Sequence, residues 1–472
     1  MVFSSTLFLL YFLPVFLLIY HIVPKSWKNY IILLASIIFY AWGAPIFLFV
    51  IAGAIILTFY LVKGLYEADS IKKKRIFTTL AIILNLGLLA YFKYANFFID
   101  SVNFLISSFG IKPMKWIEIA LPIGISFYTF HSITYIIDAY RNVHKPFKKL
   151  SEYAIYIMAF PHMIAGPIVR FNTIADQIAS RNETIDEKLL GVYRFAIGLA
   201  KKVLIANIMA AQADAIFNGD ILTLSTPNAW LGIIAYTFQI YFDFSGYSDM
   251  AIGLALMMGL KFPENFNLPY TAKSITEFWR RWHITLGSFM KDYLYIPLGG
   301  NRVGKRKMYF NLWIVFLISG LWHGASWNFV AWGAFHGLFL VLDKMFLLKV
   351  LDKMGGFFAN LLTFIIVMIG WVLFRSDSLD FAFAYIGKLF SFTGGNLFLP
   401  NPDFIRMIFV AVFFAFITKF KWGQKLNDFF FQKPLYNTKQ HILLSFISLV
   451  LLLLSVSFII SSDFNPFIYF RF

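Results

Sequence analysis

Cysteine is missing from all 472 residues. That absence excludes disulfides, thiolate nucleophiles and sulfur-based zinc sites, and it leaves the redox compartment unmarked. Acidic side chains are scarce: 24 Asp and Glu stand against 41 Lys and Arg, a net charge of +17. Charged residues of both signs reach only 14%, where a soluble domain carries about 25%. The chain has no D-x-D of the kind that holds a metal and a sugar nucleotide, which weighs against a glycosyltransferase. It also has no H-E-x-x-H zinc motif. The opening stretch MVFSSTLFLLYFLPVFLLIYHIV lacks a basic n-region and an A-x-A cleavage site. It reads as a first spanning helix and not as a cleaved signal peptide.

What fills the chain instead is apolar. Hydrophobic residues make up 60% and aromatics 20%, with 58 Phe and a mean hydropathy of +0.71. Apolar runs extend to about 20 residues, enough to cross a hydrocarbon core of about 30 Å. The fold class is therefore all-α and polytopic, since a β-barrel would show short alternating segments. Spanning segments are expected near 3–23, 28–42, 45–66, 76–99, 117–139, 151–169, 188–217, 228–260, 308–321, 326–349, 357–375, 404–421 and 441–462. Some must re-enter or split, giving about 10–13 crossings. The stretch 228–260 is too long for a single crossing and contains Asp243, Ser245, Gly246 and Asp249.

No linker, low-complexity tract or internal repeat divides the sequence. One integral domain over 1–472 is expected, with N-terminal helices in 1–117, a core with re-entrant segments in 118–375 and C-terminal helices in 376–472. The lack of an inverted repeat disfavours a secondary transporter. Lys25 and Lys28 follow the first helix, Ala41–Ala44 holds no Lys or Arg, and Lys72, Lys73, Lys74 and Arg75 crowd the third connection. Odd loops are thus basic and cytoplasmic, which puts the N-terminus outside. This rule accounts for the surplus positive charge; a basic mouth attracting an anionic donor is the other reading.

The densest polar stretch is 277–307, EFWRRWHITLGSFMKDYLYIPLGGNRVGKRK. Arg280, His283, Gly287 and Lys291 recur at helical spacing, predicting one amphipathic helix that lies in the interface or re-enters. Its cations either hold the phosphates of an activated donor or snorkel to anionic headgroups. Within it, Gly299 to Lys305 fits G-x-x-x-x-G-K. The next residue is Arg306, not Ser or Thr, and no strand precedes it, so a nucleotide loop is excluded.

Of eight histidines, His21, His144 and His441 fall at segment ends or in loops. His131, His162 and His336 sit in apolar surroundings and read as hydrogen-bonded structural groups. A metal shared by His323 and His336 is unattractive, because 13 residues turn a helix by about 220° past whole turns. His323 ends the run YFNLWIVFLIS and is followed by Gly324, Ala325 and Ser326, small residues that admit a close approach. An ionisable group in such a run is a functional candidate, against the plainer reading of a satisfied bundle histidine. A neutral imidazole is the form that can take a proton from a hydroxyl.

Several motifs, in this order, resemble the membrane-bound O-acyltransferase family in its bacterial alginate and peptidoglycan O-acetyltransferase branch. They are MVFSSTLFLLYFLP (1–14), LLASIIFYAWG (33–43), LPIGISFYTFHSITYIIDAYR (121–141), FPHMIAGPIVRF (160–171), FQIYFDFSGYSDMAIGLALMMG (238–259), FWRRWHITLGSFMKDYLYIPLGG (278–300), GLWHGASWNFVAWGAFHG (320–337) and NPFIYFRF (465–472). The resemblance implies a ring of helices around a central pore, a cytoplasmic funnel for the acyl donor and an outer funnel for the acceptor. It places the family's near-universal histidine on His323 and its second polar position on His283.

The implied reaction is acyl transfer from a thioester to a hydroxyl, with His323 as general base. Donors to the developing oxyanion would come from backbone N–H groups, Trp322 or Asn328. Arg280, Arg281, Trp282 and Lys291 are candidates for binding the donor. Ser245, Tyr247 and Asp249 either line the path or tie helices together. Ser326 as a nucleophile has no base placed beside it. No metal and no bound cofactor are implied. Acetyl-coenzyme A is the expected donor. The expected partner is an extracytoplasmic SGNH-hydrolase-like enzyme or a membrane-anchored acceptor protein, and the expected location is the bacterial cytoplasmic membrane. Two alternatives are D-alanyl transfer to teichoic acids from a carrier protein, and a transporter or flippase using His323 and Asp243.

Overall fold

The computed structural model describes residues 1–392, 394, 399–431, 435–462, 464 and 466. The closing motif 465–472 lies outside the described residues apart from Pro466. Helices and their connections make up the chain, and no strand occurs among the described residues. The all-α, multi-pass membrane class expected from composition therefore holds. Four helical stretches are long and apolar enough to cross a bilayer on those grounds alone: Phe47–Glu67, Ile71–Ser108, Gly356–Arg375 and Thr438–Ser461. The other expected spans carry buried polar groups or are interrupted.

The chain forms two compact units. The first comprises Met1–Thr184 with Met258–Phe262. Its core begins as an aromatic stack in which Phe160 lies 5.1 Å from Phe16, 5.4 Å from Phe12 and 5.6 Å from Phe39, ring centre to ring centre. The Lys28 ammonium meets Glu183 at 2.6 Å, and Tyr20 donates to the same carboxylate at 2.8 Å. His131 and His162 belong to this unit, their rings 4.7 Å apart. His131 Nε2 accepts from the Val169 N–H at 3.3 Å, and His162 Nε2 bonds the Tyr156 carbonyl at 2.8 Å.

The second unit comprises Ile185–Met257 and Pro263–Phe472. Its spine is an unbroken helix, Thr226–Met257, of 32 residues. This corrects the expected split of 228–260. The helix survives its polar residues because each acid meets a cation from the neighbouring segment. Asp249 lies 2.7 Å from Arg194 and 2.6 Å from Lys201, and Asp243 lies 2.7 Å from Lys202. Lys202 also donates to Asn207 Oδ1 at 2.8 Å and to the Pro466 carbonyl. Paired and hydrogen-bonded charges are the form in which ions are tolerated inside protein.

The spine packs against Ile185–Ala200 with almost no side chain between them. A Cβ added at Gly191 would stand 2.6 Å from the Gly253 carbonyl oxygen, and one at Gly198 would stand 2.6 Å from that of Gly246. Small residues let helix backbones approach in this way. The same device joins Lys305–His323 to Trp327–Leu342, where a Cβ on Gly333 would come within 3.2 Å of the Gly320 Cα.

Candidate active site

The predicted single helix through Arg280, His283, Gly287 and Lys291 is two short helices, Ile275–Arg281 and Ile284–Met290. The break falls at Trp282, which is extended, and at His283, which takes the left-handed conformation at φ 45° and ψ 53°. That region is uncommon for residues other than glycine, though histidine enters it more readily than most. The segment 265–267 imposes the corner: Ile284 N donates to the Asn265 carbonyl at 2.9 Å, and Asn267 N donates to the Arg281 carbonyl at 2.9 Å. Ser274 caps the first helix by accepting from Glu277 N at 3.1 Å. The buried Asp343 adds bonds from Thr276 N at 2.7 Å and Thr276 Oγ1 at 2.8 Å.

His283 is 1% exposed. Its Nδ1 lies 3.0 Å from Asn265 Oδ1. The same oxygen accepts from Thr285 N at 3.3 Å and Thr285 Oγ1 at 2.8 Å, while Asn265 Nδ2 donates to Ser248 Oγ at 3.1 Å. A backbone N–H can only donate, so the amide orientation is fixed. An amide oxygen can only accept, so the His283 proton sits on Nδ1. Nε2 then carries the lone pair, and it has no hydrogen-bond partner among the described residues. Phe244 meets the ring edge-on at 4.7 Å.

The C-terminus of Lys305–His323 supplies the second histidine. The helix ends where Gly324 turns extended, and the next begins after Ser326. His323 is thus buried at a helix end, with its ring 4.8 Å from Trp322, 5.0 Å from Trp332 and 5.3 Å from Phe374. Trp322 in turn lies 6.2 Å from the His283 ring. The two predicted histidines therefore share one indole as neighbour, although 40 positions of sequence separate them. Beyond Trp332, whose ring is 5.1 Å from His336 and 5.5 Å from Trp279, the cluster continues as aromatic wall. The indole N–H of Trp332, itself 1% exposed, has no acceptor among the described residues.

The remaining predicted residues divide by surroundings. Arg280 and Lys291 are exposed. Arg281 bonds Glu277 Oε1 at 3.0 Å and the Asn267 carbonyl at 3.2 Å, which ties it to the corner. Trp282 is core, 4.9 Å from Trp371. The Asn328 amide donates to the Ser376 carbonyl. Ser245 and Tyr247 are buried on the spine. Asp249 is committed to Arg194 and Lys201. Asn265 and Trp332 were not singled out by sequence. ENFNLPY (264–270) has the look of an ordinary turn, and only the corner it creates marks Asn265; Trp332 lies in an unbroken apolar helix.

Comparison with known proteins follows the same geography. A family model described as MBOAT, membrane-bound O-acyltransferase family, matches residues 136–376, a span that contains both histidines and Asn265. Probable alginate O-acetylase AlgI of Pseudomonas aeruginosa is 46% identical over 393 residues, covering 83% of this chain and 75% of that one. A peptidoglycan O-acetyltransferase of Helicobacter pylori is 37% identical over 432 residues, covering 84% and 81%. A teichoic acid D-alanyltransferase of Streptococcus thermophilus is 33% identical over 244 residues, covering 48% and 58%.

Proposed function

Because the chain belongs to the membrane-bound O-acyltransferase family and is an O-acetyltransferase, we propose that it takes acetyl groups from acetyl-coenzyme A at the cytoplasmic face and delivers them for O-acetylation of an exported cell-envelope polysaccharide of the alginate or peptidoglycan type. The bilayer is the bacterial cytoplasmic membrane, with the N-terminus outside. The reading is carried by one observation: a buried imidazole, His323, at a helix end walled by Trp322, Trp332 and Phe374.

His323 takes the proton of the acceptor hydroxyl as its oxygen attacks the thioester carbonyl. The C–S bond breaks, and the coenzyme thiolate leaves with the proton from the imidazolium. Aromatic walls exclude water that would otherwise compete as acceptor. The indole N–H groups of Trp322 and Trp332 stabilise the oxyanion formed at the carbonyl. The exposed Arg280 and Lys291 serve the donor's phosphates. A glycan polymer is engaged by an SGNH-hydrolase-like partner outside the membrane or by a membrane-anchored acceptor protein.

The test is reconstitution of the purified chain in liposomes with labelled acetyl-coenzyme A and mannuronate or peptidoglycan oligomers, with the partner added. Released coenzyme A can be followed by a thiol reagent without background from the enzyme, which has no cysteine. Wild type is expected to transfer label, and His323→Ala to lose at least about a thousandfold in rate with an unchanged thermal transition. Normal transfer by the folded variant would remove the assignment. Activity only with a D-alanyl carrier protein would replace the donor.

A further inference from the structure

We propose that Asn265 is a positioning residue that holds His283 in the tautomer whose Nε2 receives a hydroxyl of the acetyl acceptor. This rests on the O-acetyl-transfer reading above and goes beyond it by giving His283 one chemistry out of two. A neutral imidazole with hydrogen on Nε2 would donate, and would suit a carbonyl or phosphate oxygen. With hydrogen on Nδ1 it accepts at Nε2, and suits an alcohol O–H.

The choice is made by the amide of Asn265, and that amide cannot turn over. Its oxygen holds three donors, His283 Nδ1 at 3.0 Å, Thr285 N at 3.3 Å and Thr285 Oγ1 at 2.8 Å. Its nitrogen is spent on Ser248 Oγ at 3.1 Å, and its backbone carbonyl takes Ile284 N at 2.9 Å. Reversing the amide would set its NH₂ against a backbone N–H. Asn265 is 1% exposed and Ser248 is 1% exposed, so water does not compete for these bonds. Phe244 packs edge-on against the ring at 4.7 Å and 88°.

The outcome is a buried lone pair with no partner among the described residues. Buried polar atoms are almost always hydrogen-bonded, and an exception asks for a reason. A hydroxyl ligand supplies one. Trp322 stands 6.2 Å from this ring and 4.8 Å from that of His323, so the two imidazoles border one indole. The ligand class is an alcohol, whether a sugar hydroxyl or a seryl side chain.

Three variants test this in the liposome assay. A glutamine at 283 places an amide where Nε2 stands, and its oxygen can accept. An asparagine there reaches only the Nδ1 position; it keeps the tie to Asn265 but leaves nothing for the ligand. His283→Gln is expected to lose about tenfold in kcat/KM for the acceptor and His283→Asn on the order of 100–1,000-fold, within the range for proton-handling groups, with KM for acetyl-coenzyme A unchanged in both.

Asn265→Asp keeps the three acceptor contacts but sets a carboxylate beside Nδ1, which favours the imidazolium. Phe244, Trp322 and the amide of Asn265 border the ring, and none of these three titrates in wild type. A protonated ring offers Nε2–H and no lone pair, so the variant is expected to lose activity as pH falls through an acid limb displaced to higher pH than that of wild type. Equal losses for Gln and Asn at 283, or an acid limb for Asn265→Asp at the same pH as that of wild type, would overturn the proposal. Wild type and His323→Ala measured in the same preparation separate this failure from that of the proposed function, which requires transfer by the first and none by the second.

Discussion

Trp332 presses its indole against the ring of His323 at 5.0 Å and against that of His336 at 5.1 Å, and its N–H is buried without an acceptor among the described residues. Trp332→Phe keeps an aromatic ring there and removes the donor. Loss of one oxyanion donor costs about 100–1,000-fold in kcat, and that is the expected fall, with KM for acetyl-coenzyme A nearly unchanged. The non-natural isostere benzothienylalanine, which has sulfur in place of N–H, should reproduce the fall without loss of volume; turnover at the wild-type rate would exclude the donor role. His323 was legible in sequence because an ionisable group in an apolar run is costly to place without purpose. Asn265 was not. Asparagine in ENFNLPY reads as a turn residue, and its use is visible only once His283 and Thr285, 18 and 20 positions on, come to the same oxygen.

Among the helices, legibility followed hydropathy and failed at polar positions. The spans around 47–67, 356–375 and 438–461 matched their apolar runs to within a few residues. The stretch 228–260 was expected to divide because it is too long for one crossing and contains Asp243 and Asp249, and the helix Thr226–Met257 does not. The cations that neutralise Asp243 and Asp249 lie at 194, 201 and 202, on a separate helix, so no local window contains the compensation. Removing one partner of such a buried pair costs about 3–5 kcal/mol. Asp249→Ala, which strands Lys201 and leaves Arg194 with Glu264 alone, should lower unfolding stability by that order in a thermal or denaturant titration in detergent. Asp249→Asn, which still accepts hydrogen bonds, should lose less. The opposite error occurred at 275–290. Residues at perfect helical spacing turned out to straddle a corner, because backbone bonds from 265–267 outweigh local periodicity.

For the molecule as a whole, the distribution of Lys and Arg predicts which ends of the helices face the cytoplasm. Since the chain has no cysteine, single substitutions report position directly. A cysteine at Lys73 should react with an impermeant maleimide only in inverted vesicles, and one at the exposed Ile46 only in intact spheroplasts; the reverse pattern would invert the topology. Composition was enough for the class, and scattered motifs for the family, whereas the pairing of helices lay beyond reach because glycines far apart in sequence carry it. Gly191 with Gly253 and Gly198 with Gly246 fasten two rods at points seven residues apart on each. A slide by one turn would drive bulkier side chains into gaps that accept only a hydrogen atom. This pair is therefore latched in register, unlike machines that work by ratcheting helices past each other. The two helices therefore travel, if at all, as a single body.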